Sequence, residues 1–108
     1  MDDEIYVLHA RVCKSLSSPL RLRILDLLRD GERSVSELVS LTGVSQPNLS
    51  LQLRFLWDNG VLERTRMGTA VRYRVAHPEI FEAIDIFRTI LAKKLAREHQ
   101  LTRRGTPR

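Results

Sequence analysis

Three glycines and one change of periodicity punctuate residues 34–73, and together they leave few folds open. The stretch reads SVSELVSLTGVSQPNLSLQLRFLWDNGVLERTRMGTAVRY. Ser34 or Ser36 caps a first helix, and Ser34 with Glu37 has capping-box spacing. Leu38 and Leu41 give that helix an apolar side, and Thr42-Gly43 stops it, because glycine accepts the left-handed conformation of a helix end. Ser45 is an N-cap for the next helix, with Pro47 in its first turn, where a missing N–H costs nothing. From Ser45 to Asn59, Leu49, Leu53 and Leu56 share one face with Trp57 at its border. Pro47, Leu51, Arg54 and Asp58 share the opposite face, flanked by Asn48 and Ser50, and Gly60 ends the helix. The period then becomes two: Val61–Arg66 reads as a strand, Met67-Gly68-Thr69 as a turn and Ala70–Val75 as the returning strand. Helix, glycine turn, helix and hairpin in that order predict a helix-turn-helix with a wing, a device that lays its second helix in the major groove of DNA.

The outward residues of that helix have the chemistry for such a task. Gln46, Asn48 and Gln52 are amides, which pair bidentately with adenine; with Ser50 they are expected to contact bases or phosphates. Gln46 and Gln52 also read as solvated or helix-capping groups. Leu51 reads equally as a scattered surface leucine or as an apolar contact to a thymine methyl. The hairpin carries Arg64, Arg66, Arg72 and Arg74. Alternation sets Arg72 and Arg74 on one face and Val71, Tyr73 and Val75 on the other. A charged hairpin is commonly a solvated edge, but beside a helix-turn-helix it is expected to grip phosphates or the minor groove. Arg54 adds to the phosphate attraction.

The rest of the chain supports one small domain. It has 108 residues, with 18 Lys+Arg against 13 Asp+Glu, a net charge of +5 and a pI near 10.1. That balance favours a polyanionic partner and by itself also fits a membrane surface. No apolar run is long enough to span a bilayer, and no signal-peptide pattern opens the chain. The single Cys13 fits a reducing cytoplasm and excludes an all-cysteine metal site within one subunit. Ile5, Leu8, Val12 and Leu16 recur at helical spacing in a first helix that opens on Asp2, Asp3 and Glu4. Ser18 caps a second helix with Pro19 at its first position; its expected buried face is Leu20, Ile24, Leu27 and Leu28, with Arg21 and Arg23 pointing elsewhere. A last helix begins at His77-Pro78-Glu79 and is expected to run to about Gln100. Ile80, Ile84, Phe87, Leu91 and Leu95 form one apolar stripe on it, and Ala83, Ile86 and Ile90 a second. Both terminal helices carry more apolar surface than a domain this small covers. A symmetric homodimer is the economical answer, with Ile5, Leu8, Val12, Phe87, Ile90 and Leu91 in its interface. Residues 1–100 are thus expected to form one DNA-binding and dimerisation domain, and Leu101 to Arg108 a disordered basic tail.

Several of these segments resemble the ArsR/SmtB family of bacterial and archaeal repressors. Ser18-Pro19-Leu20-Arg21-Leu22-Arg23-Ile24-Leu25 resembles the segment opening that family's second helix, and Ser45-Gln46-Pro47-Asn48-Leu49-Ser50-Leu51-Gln52-Leu53-Arg54 its recognition helix. Asn59-Gly60-Val61-Leu62 and Arg66-Met67-Gly68 through Arg72-Tyr73 resemble its helix exit and wing. The resemblance implies a mainly α fold with a small β-hairpin, a dimeric winged helix-turn-helix that represses transcription by occupying an operator. It implies recognition roles for Gln46, Asn48, Ser50 and Gln52, and wing roles for Arg66, Gly68 and Arg72. Pro47, Leu51, Arg54, Arg64 and Arg74 complete the expected DNA-contacting set. The position of Leu51 is often polar or basic in such relatives.

Metal sensing is where the chain departs from the family. Leu38, Val39, Ser40 and Leu41 stand where arsenic and cadmium sensors carry a Cys-x-Cys pair. Against the zinc sensors' last-helix pattern, Asp85 matches, but Phe87 and Leu101 replace two ligands and Glu98 a third position's His. Persulfide sensors need paired cysteines. No cofactor or metal site is therefore expected. The residual candidates are His9 and Cys13, four apart on helix one, with His99 or Glu98 of a partner chain's last helix. Against them, a lone Cys near a helix interface is usually a small buried hydrophobe and a lone His a surface group. No nucleophile–base arrangement, Gly-rich phosphate loop or paired carboxylates point to an enzyme; Asp26 and Asp30 share a face near Arg23 and Arg29, as solvated carboxylates do. The expected function is a repressor on an inverted-repeat operator, released by a metal, metalloid or redox signal or by none. The rival is a winged-helix module for protein–protein assembly.

Overall fold

The computed structural model describes the backbone of residues 2–105 and the side chains of residues 2–102. The elements in order are α1 (Asp3–Ser15), α2 (Pro19–Leu27), β1 (Arg33–Ser34), α3 (Val35–Thr42), α4 (Gln46–Asp58), β2 (Leu62–Met67), β3 (Ala70–Val75) and α5 (Glu79–Gly105). The chain divides between His77 and Pro78 into two compact units, the first holding α1 to β3 and the second α5.

Local chemistry sets most boundaries. Asp2 accepts from the Glu4 N–H at 3.3 Å and Ser18 from the Arg21 N–H at 3.3 Å. Ser34 and Glu37 form a complete capping box at the start of α3. Gly43 ends α3 at φ +70°, its N–H donating to the Val39 carbonyl at 2.9 Å. A side chain there would meet nothing within 4 Å, so the left-handed backbone, not lack of space, favours glycine. Ser45 caps α4 by accepting from the Asn48 N–H at 3.4 Å.

The first unit is built on a core of Ile24 and Leu25 of α2, Leu38 of α3, and Leu49, Leu53 and Leu56 of α4, all fully buried. The three α4 leucines are those expected from their spacing. On α2 the expectation needs correction: Leu25 is buried, whereas Leu20 and Leu27 are only half-buried. With α3 and α4 both packed against it, α2 buries a face centred between Ile24 and Leu25 and reaching Leu28.

The sheet is three-stranded and antiparallel in the order β1-β3-β2. The hairpin runs from the Leu62–Val75 pair to the Met67–Ala70 pair, so its loop is Gly68-Thr69 alone. Gly68 has φ +64° and Thr69 does not have positive φ, the sign pattern of a type II′ hairpin turn. The third strand, β1, pairs Arg33 with Tyr73 and Ser34 with Arg72. It was not expected from the sequence, since two residues carry no periodicity. It ties the N-terminus of α3 to the wing. Tyr73 is buried, with Val71 and Val75 half-buried, as alternation requires.

In the second unit α5 continues to Gly105, five residues beyond the expected end at Gln100. Leu101 to Gly105 is therefore helical and not a frayed tail, while residues 106–108 of the expected tail lie outside the described residues. Phe87, Ile90, Leu91, Leu95 and Leu101 of α5 are exposed, and so are Ile5, Tyr6, Val7 and Leu8 of α1. No described helix is long and apolar enough to cross a membrane.

Candidate nucleic-acid interface

The burial of Leu49, Leu53 and Leu56 decides which side of α4 faces outward. Pro47, Asn48, Leu51 and Arg54 are exposed on it, Leu51 at 64%, and Gln46 is exposed in the first turn of the helix. Ser50 is half-buried and, with Gln46, lines an open cleft of about 280 Å³. Ser34, Val35 and Ser36 at the start of α3, and Thr69, Ala70, Val71 and Tyr73 of the wing, form its other walls. The first turn of α4 thus sits beside a recess of mixed polar and apolar lining bounded by the wing.

Not all of the expected contact residues are free. Gln52 is half-buried: its Oε1 accepts from Arg21 Nη1 at 2.8 Å and its Nε2 donates to Asn48 Oδ1 at 3.3 Å. Arg54 lies 3.9 Å from Asp58 in an exposed i,i+4 pair, the kind that contributes little and is screened by salt.

The wing arginines differ most from expectation. Arg64 stacks on the Trp57 ring at 3.8 Å from its centroid, fastening β2 to the last turn of α4. Arg74 is paired with Glu63 of the facing strand at 2.8 Å and donates to Thr65 Oγ1 at 2.8 Å. Arg72 is turned inward from β3 to α3 and the loop before β1. Its Nε donates to Glu32 Oε1 at 2.9 Å, its Nη1 to Glu37 Oε1 at 3.1 Å and its Nη2 to the Glu32 carbonyl at 3.3 Å. In the free chain Arg72 is thus not an open cation: two carboxylates already neutralise it. Arg64 and Arg66 are both exposed without an ion-pair or hydrogen-bond partner among the described residues, and of the two Arg66 lacks a ring contact as well.

This cluster has an electrostatic signature. The Glu37 carboxyl is held below the usual carboxylate range, first by the hydrogen bond from the Ser34 backbone N–H, then by the Ser34 hydroxyl and Arg72, against a burial effect of opposite sign. The Arg72 guanidinium is pushed up, chiefly by its hydrogen bond to Glu32.

Arg21 is the residue whose importance the sequence reading missed. Its Nε donates to the Ser15 carbonyl at 2.7 Å and its Nη2 to the Lys14 carbonyl at 3.3 Å, and its guanidinium lies 4.5 Å over the Phe55 ring. It therefore joins the end of α1 to α4. Its side-chain hydrogen-bond partners lie six to 31 residues away and the Phe55 ring lies further still along the chain, so no local pattern marks it. Arg23 similarly donates to the Leu41 carbonyl at 3.0 Å, closing the end of α3.

The metal candidates form no site within one chain. His9, Cys13 and His99 are all exposed, Cys13 contrary to the buried role common for a lone cysteine. No three His, Cys, Asp or Glu side chains converge on one point among the described residues. Of the expected interface residues, Ile5, Leu8, Phe87, Ile90 and Leu91 are exposed and Val12 is half-buried.

Known proteins share both this order of elements and this sequence. Residues 18–64, covering α2 to the start of β2, match the model of the bacterial regulatory protein, arsR family. The HTH-type transcriptional regulator Rv0081 of Mycobacterium tuberculosis is 41% identical over 95 residues, spanning 87% of this chain and 83% of that protein. Its crystal structure superposes with a TM-score of 0.78, covering 95% of that chain. A probable mercury resistance operon repressor of Streptomyces lividans is 34% identical over 81% of this chain and 70% of its own length. The solution structure of the homodimeric winged helix-turn-helix DNA-binding domain of Mb0332 from Mycobacterium bovis has a TM-score of 0.76 at 32% identity, covering 84% of each chain. On the family match, the shared sequence and the shared fold, the chain belongs to the ArsR family of bacterial regulatory proteins.

Proposed function

We propose that this chain is a homodimeric, sequence-specific transcriptional repressor of the cytoplasm. The observation that carries the reading is the split character of α4: three fully buried leucines on one side, exposed Asn48, Leu51 and Arg54 away from them, and exposed Gln46 at the start of the helix. A helix held so firmly on one side and so polar on the other is suited to a major groove. Gln46 and Asn48 supply base discrimination, and each good bidentate base contact is worth about 1–3 kcal/mol. Leu51 meets a thymine methyl, Ser50 and Pro47 flank the contact, and Arg66, at the wing held by the Gly68 turn, supplies phosphate attraction. Arg54, Arg64 and Arg74 add to the field around the site.

The exposed apolar faces of α1 and α5 support dimerisation through Ile5, Leu8, Val12, Phe87, Ile90 and Leu91. The Mb0332 domain, a relative of the same fold, is a homodimer. Two copies of α4 then occupy major grooves about one helical turn, roughly 34–36 Å, apart on an inverted repeat.

The test is footprinting on the DNA upstream of the protein's own coding region, with Gln46→Ala alongside. Protection of an inverted repeat is expected, and Gln46→Ala should weaken that repeat more than random duplex. Equal losses on both sequences would remove Gln46 from readout. Protection that never exceeds that on random DNA would favour the protein–protein module instead. Release by one added metal, arsenite, oxidant or persulfide identifies the signal.

A further inference from the structure

Gln52 stands one turn after Asn48 on α4, and the two amides are in series with Arg21 of α2. Arg21 Nη1 donates to Gln52 Oε1 at 2.8 Å, and Gln52 Nε2 donates to Asn48 Oδ1 at 3.3 Å. A guanidinium has donors only. The Gln52 amide therefore has one compatible orientation, oxygen toward Arg21 and nitrogen away. A nitrogen in that place obliges Asn48 to turn its own oxygen to Gln52. The Asn48 Nδ2 is left without a protein partner among the described residues, on an exposed side chain.

The first member of the series cannot easily turn aside. Arg21 is tied by the Ser15 and Lys14 carbonyls and lies over Phe55. Reversing the amides would leave a guanidinium N–H facing an amide N–H, which is a repulsive contact. The polarity of Asn48 is thus set from α2, two elements away from the groove.

We infer that Arg21 and Gln52 are positioning residues that fix Asn48 as a hydrogen-bond donor toward the base edges. Gln52 is then not itself a reader. An outward Nδ2 selects an edge bearing acceptors, best met by guanine N7 and O6, and disfavours the cytosine N4 amino group. This inference rests on the proposed entry of α4 into the major groove.

The experiment is a base-pair scan of a half-site recovered by the wild-type protein from a randomised duplex library. Wild type, N48A, Q52E and Q52A are compared as ratios of affinities between base pairs. Glutamate at 52 still accepts from Arg21 but cannot donate. Asn48 must then rotate to give Nδ2 to Glu, leaving Oδ1 outward as an acceptor. At the base pair where N48A loses discrimination, Q52E should move the preference by about tenfold toward a base with an exposed amino group, cytosine or adenine. Its added negative charge weakens all sequences alike and cancels in the ratios. Q52A, which breaks both bonds, should reduce discrimination at that pair without inverting it. The inference is overturned if Q52E and Q52A leave that pair's preference unchanged, or if they alter a different base pair, which would make Gln52 a reader in its own right. If N48A changes no base pair, the failure lies earlier, in the groove reading of Asn48, and the inference falls with it.

Discussion

Arg66→Ala and Arg72→Ala remove the same charge from the same hairpin, yet the structure separates their effects. Arg66 is exposed without a partner among the described residues, whereas Arg72 already neutralises Glu32 and Glu37 at 2.9 and 3.1 Å. A phosphate contact releases counterions and contributes about 0.9 to the slope of log affinity against log salt. Losing Arg66 from both protomers of a dimer should therefore flatten the slope by about 1.8. Across a fourfold rise in salt, from about 50 to about 200 mM, the wild type's advantage should shrink by about twelvefold. Arg72→Ala should flatten the slope by less than half as much. Its loss instead leaves Glu32 without its ion pair and Glu37 with only Arg33 and the Ser34 cap, so its thermal midpoint should fall while that of Arg66→Ala stays. The assay is fluorescence anisotropy on a random duplex over a salt series, with thermal melts of both variants. If Arg72→Ala flattens the slope as much as Arg66→Ala and melts like wild type, the assignment of their roles is wrong.

Other outcomes follow from the same geometry. Leu53→Ala removes a fully buried side chain between α4 and the rest of the core, and should cost about 2–5 kcal/mol in denaturant unfolding. Glu37 has a carboxyl pKa lowered in the folded state, so its stabilising contribution is present at neutral pH and lost as pH falls through that lowered value. Glu37→Gln should therefore flatten the acid limb of a melting-temperature profile against pH; a limb as steep as wild type's would argue against the cap and Arg72 contacts. Phe87→Glu places a charge on the exposed apolar face of α5 and should shift sedimentation from dimer to monomer, with operator affinity falling alongside. Retained dimers would move the interface elsewhere.

Much of this arrangement was legible from local chemistry. The capping box at Ser34 and Glu37, the cap at Ser45, the stop at Gly43 and the leucines of α4 involve partners within a few residues, and each stands where the sequence placed it. Wing and turn were similarly readable, because a strand pair joined by Gly68-Thr69 is a short-range object. Strand β1 was not, since its two residues acquire an identity only by pairing with Arg72 and Tyr73 some forty positions later. The shift from Leu20 and Leu27 to Leu25 on α2 has the same origin: α3 and α4 choose the face, and helical spacing alone leaves neighbouring choices nearly equivalent.

The sequence by itself determined that a polar-sided helix follows a glycine turn and precedes a basic hairpin. Those features depend on backbone conformations and periodicities that each short segment carries within it. Only the tertiary structure decided what the arginines do. A guanidinium reaches far and donates in several directions, so its role depends on which carboxylate, carbonyl or ring the fold brings within about 3–4 Å. Arg66 was left to solvent, Arg72 and Arg74 were given to carboxylates, Arg64 to an indole, and Arg21 to the amide of Gln52.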